Sequence, residues 1–128
     1  MSLDEALRKR TSVRDYSPEP LSLADLSYLL WATTGIQRIE QGYEFRTAPS
    51  AGALYPIETY LVANNVEDLE QGLYHYAVKG HLLEELRPGD LGVDTARAGR
   101  RQRICCDAAA VFVWTAIFYR SKWKYEQR

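Results

Sequence analysis

Near the middle of the chain, residues 49 to 56 read Pro49-Ser50-Ala51-Gly52-Ala53-Leu54-Tyr55-Pro56. The first five carry almost no side-chain bulk, so a flat ligand can approach the backbone and accept hydrogen bonds from its N–H groups. A tight turn would have the same composition. The glycine spacing matches neither the phosphate-binding loop of nucleoside triphosphatases nor the dinucleotide fingerprint. The stretch therefore predicts either a loop that shelters a planar ring or a plain turn, and it disfavours a Rossmann domain.

The segments after this stretch have the residue types of strands. β-Branched and aromatic residues, or uninterrupted apolar runs, predict strands at 57–62, 73–78, 81–86 and 108–118. Lys79-Gly80 is a two-residue turn signal that joins the second and third of these as a hairpin. The last segment is apolar almost throughout, which predicts a central strand buried on both faces.

Helix signals lie at both ends of the chain. Capping and apolar spacing predict a helix that ends near Arg10, a second from Ser22 to Gly35, a third over 94–104 and a last one from about Ser121. Residues 11–17 are expected to be extended, and 36–48 are expected to form a loop over a site or a partner. Helices and strands together predict one α+β domain over residues 1–128.

Bulk composition limits the class of protein. The 128 residues are 46% hydrophobic and 26% charged, as in one globular domain. The net charge is only −1, but residues 95–128 hold eight basic against two acidic side chains. This basic end would attract a phosphate-bearing ligand, or it is a solvated helix face or a contact with an acidic partner. A nucleic-acid partner is not expected, because no nucleic-acid-binding motif is present and the pI is about 6.1.

Cysteine use and apolar runs bear on location. Cys105 and Cys106 are adjacent, which suits neither a disulfide nor a zinc site, so we expect a reducing, cytoplasmic setting and no bound metal. Residues 1–10 lack the apolar core of a signal peptide. The longest apolar run has eleven residues, too few to cross a membrane, so no membrane partner is expected.

Three polar side chains near the start of the chain form a candidate anion site. Arg10, Ser12 and Arg14 alternate along a segment expected to be extended, so all three can project to one side. Two guanidinium groups and a hydroxyl would hold a phosphate well. An ordinary basic segment packed against acidic helices is the alternative.

The end of the chain holds the best candidates for acid–base chemistry. Lys124 and Tyr125 could accept and donate protons if a neighbouring cation lowered the pKa of the lysine. A surface pair on an amphipathic helix is the alternative. His75 and His81 have no carboxylate or Cys at ligand spacing, so we interpret them as structural.

These motifs occur in an order that resembles the nitroreductase-like flavoprotein superfamily, and within it the SagB-type dehydrogenases. The similarity covers essentially the whole chain. It lies in the stretches 10–16, 20–22 leading to 29–32, 46–56, and 72–76, then in Gln102, Lys124-Tyr125 and Arg128. The resemblance implies an α+β fold with a central, mainly antiparallel sheet flanked by helices, FMN as cofactor and an interlocked homodimer whose pockets take residues from both chains.

The resemblance also implies roles for individual residues. Arg10, Ser12 and Arg14 match family positions that hold the FMN phosphate and ribityl chain. The loop residues Pro49, Ser50, Ala51 and Gly52 match positions beside the isoalloxazine. Lys124-Tyr125 matches a pair that removes protons in azoline oxidation, although Glu126 stands where Gly is common.

The family pattern implies an FMN-dependent oxidoreductase that passes hydride through flavin N5, with NAD(P)H as a possible donor and a small organic molecule as acceptor. Family domains continue beyond the Lys-Tyr motif with a helix, a flavin-contacting segment and a strand. This sequence has no counterpart of them, so a C-terminal part is expected to be missing. A non-catalytic or accessory subunit that associates with a partner chain is the alternative function.

Overall fold

The computed structural model describes residues 1–125 of the chain as an α+β domain. Five helices are present in this part: α1 (Leu3–Lys9), α2 (Leu23–Thr34), α3 (Gly92–Ala98), α4 (Ile104–Asp107) and α5 (Phe118–Tyr125). Its strands are β1 (Ile36–Glu40), β2 (Tyr43–Arg46), β3 (Ile57–Ala63), β4 (Gly72–Ala77), β5 (Leu82–Pro88) and β6 (Ala110–Ala116). Helices flanking an antiparallel sheet confirm the predicted fold class.

The main sheet has the strand order β5-β4-β3-β6, and every neighbouring pair is antiparallel. The predicted hairpin is confirmed as β4 and β5. Helix α2 covers one face of the sheet, where its buried Leu26 and Leu30 belong to one core cluster with Leu61, Tyr74 and Tyr76. This core fixes β3, the strand that begins directly after the Pro49–Pro56 stretch.

Helix caps predicted from the sequence are present. The Ser2 hydroxyl accepts from the Glu5 N–H, and the Ser22 hydroxyl accepts from the Asp25 N–H at 3.1 Å. The N–H of Gly35 donates to the carbonyl of Trp31 and ends α2. Each cap satisfies a backbone group that the helix geometry leaves without a partner.

Two expectations from the sequence were wrong. Residues 36–48 contain the hairpin β1-β2, not a loop, because Gln41 and Gly42 both take positive φ angles and form a tight turn. The helix expected over 94–104 is divided into α3 and α4, since Arg100 and Arg101 also have positive φ.

Strand β6 (110–116) is less buried than expected. Within residues 1–125, β6 pairs only with β3 and forms an edge of the sheet. Val113 and Trp114 are 38% and 59% exposed, so burial on both faces was wrong for this part of the chain. An apolar run specifies a strand but does not specify its place in the sheet.

Candidate functional site

Strand pairing brings the small-residue stretch and the terminal helix to one place. Ile57 at the start of β3 pairs with Ala116 at the end of β6. The Pro49–Pro56 stretch enters β3 at this end of the strand pair, and α5 leaves β6 at the same end. Antiparallel pairing therefore makes neighbours of two motifs that are far apart in the sequence.

Gly52 leaves open the space into which the terminal pair extends. It has a φ of +65° within a short 3₁₀ turn, and a Cβ at this position would lie 2.7 Å from Lys124 Nζ and 2.9 Å from the Tyr125 hydroxyl. Both distances are shorter than a nonbonded carbon contact allows. The absence of a side chain at Gly52 therefore permits Lys124 and Tyr125 to lie against the loop.

Hydrogen bonds fix the shape of the loop itself. The Ser50 hydroxyl accepts from the Tyr55 N–H at 2.9 Å, and the Ser50 carbonyl accepts from the Ala53 N–H at 3.0 Å. The Tyr55 hydroxyl accepts from the backbone N–H of Arg46 in β2 at 3.0 Å. The bend is thus closed on itself and attached to the β1-β2 hairpin.

Helix α5 is attached to this loop by Arg120. Its Nη1 donates to the Tyr55 carbonyl at 2.8 Å and lies 2.5 Å from Glu58 Oε1. The N–H of Ile117 also donates to the Pro56 carbonyl at 2.8 Å. These contacts determine where the helix starts and which way it faces.

Glu58 and His75 extend this contact into the sheet. His75 Nε2 lies 2.9 Å from Glu58 Oε2, and His75 Nδ1 lies 2.9 Å from Glu84 Oε2. Hydrogen bonds to Glu58 and then to Glu84 raise the pKa of His75 above its usual value, against the effect of burial. Burial acts to raise the pKa of Glu58, but hydrogen bonds from His75 and Arg120, with their charges, lower it overall. Both groups are therefore stabilised in their charged forms.

A cavity of about 190 Å³ adjoins the loop. It is lined by Pro49, Ser50 and their neighbours on β2 and α2, among them Arg46 and Thr34. Arg46 Nε and Thr34 Oγ1 are buried without a hydrogen-bond partner among residues 1–125. Buried polar groups are normally paired, so two unpaired ones beside a cavity suit a ligand that brings acceptors. Arg46 Nε and Thr34 Oγ1 suit the heteroatoms of a planar ring such as a flavin, whereas the space at Gly52 is occupied by the ends of Lys124 and Tyr125.

The proposed phosphate residues are exposed and do not line this cavity. Arg10, Ser12 and Arg14 are exposed, in a segment without helix or strand. In the described part of the chain their side chains make no hydrogen bond or ion pair, and none of them lines the cavity beside Pro49. The structure therefore brings Gly52, Lys124 and Tyr125 together but does not join the basic trio to them. Glu126 and Arg128 lie outside the described residues.

The two histidines have partners that sequence spacing did not indicate. His75 has two carboxylate partners, Glu58 and Glu84, on the neighbouring strands β3 and β5. His81 lies 2.7 Å from both Ser27 Oγ and the Tyr76 hydroxyl, which makes it part of the packing between α2 and the β4-β5 hairpin. Arg120 and Glu58 were also missed, since only the β3-β6 register places them in reach of each other.

Comparison with known proteins shows matches over nearly all of the chain. The family model described as "Nitroreductase family" matches residues 7–128. The protein MJ1384 of Methanocaldococcus jannaschii is 35% identical over all 128 residues. The chain spans 63% of the length of that relative.

Two solved structures share the fold. A "putative nitroreductase" of Ralstonia eutropha JMP134 matches with a TM-score of 0.72 and 30% identity, over 98% of this chain and 54% of that one. The E. coli microcin synthetase McbBCD complex with truncated pro-MccB17 bound matches with a TM-score of 0.67 and 25% identity, over 96% and 50%. The sequence match over residues 7–128, together with this shared fold, shows that the chain belongs to the nitroreductase family.

Proposed function

We propose that the chain forms part of an FMN-dependent oxidoreductase. Membership of the nitroreductase family supports a flavin-type oxidoreductase in general. The observation that carries the finer proposal is the position of Lys124 Nζ and the Tyr125 hydroxyl in the space beside Gly52. A loop suited to a flat ring and a pair suited to proton transfer thereby form one site.

Each candidate residue has a defined task in this proposal. Bound FMN would supply hydride transfer, which no side chain provides. Lys124 and Tyr125 would move the proton that accompanies the hydride. They would accept it from a substrate that is oxidised and donate it to a substrate that is reduced. The backbone of Pro49–Gly52, with Arg46 and Thr34, would face the ring. Arg10, Ser12 and Arg14 would hold the phosphate. Because none of them lines the cavity beside Pro49, they would have to approach it or complete the site of a second subunit.

A narrower proposal concerns the substrate. The Lys124-Tyr125 pair is the feature by which the sequence resembles SagB-type dehydrogenases, and the McbBCD complex is among the similar structures. We therefore propose one of two substrate classes. An azoline-type ring would give a hydride to the flavin and a proton to the Lys124-Tyr125 pair, and a second, external acceptor would reoxidise the flavin. A small organic acceptor would instead be reduced by the flavin, with NAD(P)H as the hydride donor. Comparing the turnover of a thiazoline-containing peptide with that of a nitroaromatic compound would distinguish the two classes.

The visible spectrum of the purified chain tests flavin binding directly. We expect FMN to be retained or taken up, with the absorption bands of a bound flavin. Lys124→Met should keep these bands and lose most of the turnover, because it removes a proton-transfer group and leaves the loop intact. A protein that stays colourless after addition of excess FMN would contradict the proposal.

A second candidate is an accessory subunit that depends on a partner chain. The chain spans 63%, 54% and 50% of its relatives. Phe118, Tyr119 and Trp123 on α5 are 73–78% exposed, an apolar surface that favours association. For the first candidate, the oxidoreductase, we propose a homodimer. Light scattering after size exclusion, with and without FMN, separates a dimer from a monomer that needs another protein.

We also propose a cytoplasmic location. Cys105 and Cys106 are both free thiols in α4, as expected in a reducing compartment. No helix in residues 1–125 has the length and apolar character needed to cross a membrane. Fractionation of cells that express the tagged chain would check this location.

A further inference from the structure

Helix α5 carries the proposed proton-transfer pair but has little apolar anchorage of its own. None of its residues is buried, and Phe118, Tyr119 and Trp123 are mostly exposed within the described part of the chain. Packing of an apolar face is what normally holds a short helix on a protein. The position of α5 must therefore depend on its polar contacts.

Arg120 makes the strongest of these contacts. Its guanidinium bridges the Tyr55 carbonyl at 2.8 Å and the carboxylate of Glu58 at 2.5 Å. The side chain of Glu58 is only 17% exposed, so this ion pair is screened less than a surface pair. A planar guanidinium with several N–H groups can hold two acceptors at once, which a lysine ammonium does with less directional control.

Helical spacing connects Arg120 to the active pair. Lys124 follows Arg120 by four residues, so both side chains leave the same face of α5. Arg120 holds that face against Tyr55 and Glu58, and Lys124 on the same face reaches the gap at Gly52. Rotation of α5 about its axis would break the Arg120 contacts and withdraw Lys124 from the loop together.

We propose that Arg120 is a positioning residue that sets Lys124 and Tyr125 against Gly52, with Glu58 as its fixed anchor and His75 as the group that orients Glu58. This inference rests on the proposed function only for the role of the pair. It assigns no contact between Arg120 and the flavin or substrate.

Amide hydrogen exchange of the full chain tests the positioning without any activity. In Arg120→Met we expect the amides of α5 to exchange about tenfold faster or more, since two charge-assisted hydrogen bonds are lost. The amides of β3 and β4 should keep their rates, and Arg120→Lys should fall between wild type and Arg120→Met. Arg97→Met is the matched control, because Arg97 is an exposed helical arginine whose ion pair with Asp94 spans 3.6 Å. Unchanged α5 exchange in Arg120→Met would overturn the proposal.

A double-mutant cycle tests the link to chemistry. Arg120→Met should lower kcat about 100-fold in the wild-type background, as a displaced catalytic group does, with little change in FMN content. In the Lys124→Met background the same substitution should cost clearly less than about 100-fold, because one of the two groups that Arg120 positions is already gone. Equal losses in the two backgrounds would overturn the positioning role.

The test of flavin binding and the test of positioning by hydrogen exchange can fail independently of each other. A chain that binds no FMN contradicts the proposed function, while hydrogen exchange still decides whether Arg120 holds α5. Glu58→Gln gives a second test that retains the volume of the anchor. The amides of α5 that exchange faster in Arg120→Met should also exchange faster in Glu58→Gln. Faster exchange in β3 alone would contradict the role of Glu58 as the anchor of Arg120.

Discussion

Lys124 Nζ lies 2.7 Å from the point at which a Cβ on Gly52 would stand, although the two residues are far apart in the sequence. The contact exists because Ile57 and Ala116 pair across β3 and β6, next to the loop and to α5. At this place the small-residue stretch and the Lys124-Tyr125 pair predicted from the sequence meet.

Gly52→Ala should separate backbone strain from displacement of the pair. We expect a loss of about 1–2 kcal/mol in the free energy of unfolding, the cost of a left-handed conformation for a residue with a Cβ. The new methyl group should also push away the flexible end of Lys124 and lower kcat about 10- to 100-fold. Urea unfolding and steady-state kinetics measure the two effects.

Gly42→Ala is the matched control. Gly42 also has a positive φ, of 82°, but nothing lies within 4 Å of its virtual Cβ. It should lose similar stability and keep its activity. Equal loss of activity in the two variants would contradict a specific role for the space at Gly52.

His75→Gln should change the dependence of stability on pH. The pKa of His75 is raised in the folded chain above 6.5, so its stabilising contribution is complete below pH 6.5 and is lost as pH rises through the folded value. Glu58, Glu84 and Arg120 are the charged groups that contact this network. We expect wild type to lose stability above pH 6.5 and His75→Gln to lack that loss.

The acidic side of the profile should depend on Glu58. Its pKa in the folded chain is below 4.5, so its contribution is present above pH 4.5 and is lost as pH falls through the folded value. Glu58→Gln should therefore flatten the acid limb of the stability curve, measured by urea unfolding at a series of pH values. An unchanged acid limb would show that the carboxylate does not contribute.

The double variant Arg10→Ala/Arg14→Ala tests the phosphate site. We expect FMN to bind about 10- to 100-fold more weakly, as for the loss of charge-assisted hydrogen bonds, while riboflavin, which lacks the phosphate, binds as before. Fluorescence titration with both ligands measures the difference. Arg8→Ala is the control, because Arg8 already pairs with Asp4 at 2.9 Å. Equal weakening for FMN and riboflavin would exclude a phosphate role.

Leu61→Ala should be the most damaging truncation in the sheet. Leu61 is 0% exposed at the centre of the core, so we expect a loss of about 2–5 kcal/mol from lost burial and the cavity left behind. Leu29 on α2 is 42% exposed, so Leu29→Ala should lower the free energy of unfolding far less. Urea unfolding of both variants measures the contrast.

Local signals in the sequence predicted most of the elements. Ser2 and Ser22 mark helix starts because their hydroxyls accept from backbone N–H groups, and Lys79-Gly80 marks a turn. The β1-β2 hairpin was missed because the charged residues around Gln41-Gly42 conceal its alternation. Its turn needs a positive φ at two adjacent residues, and Gln at the first of them is a weaker signal for such a turn than Asn or Asp.

The site was predicted as separate pieces and not as an arrangement. Small side chains at Gly52 and acid–base groups at Lys124 are visible in the sequence, but their contact depends on the register of β3 and β6. Arg120 and Glu58 belong to no recognised motif, and only that register brings them into contact. The roles of Arg10, Ser12 and Arg14 stay a prediction, as do those of Lys124 and Tyr125.

The pairing of β3 with β6 also has a consequence for biosynthesis. About fifty residues must leave the ribosome after β3 before its partner strand is available, and contacts of such sequence separation form late and slowly. The nascent chain can build the β4-β5 hairpin early, but it has no complete pocket until α5 emerges. The proposed flavin site can therefore form only after α5 has left the ribosome.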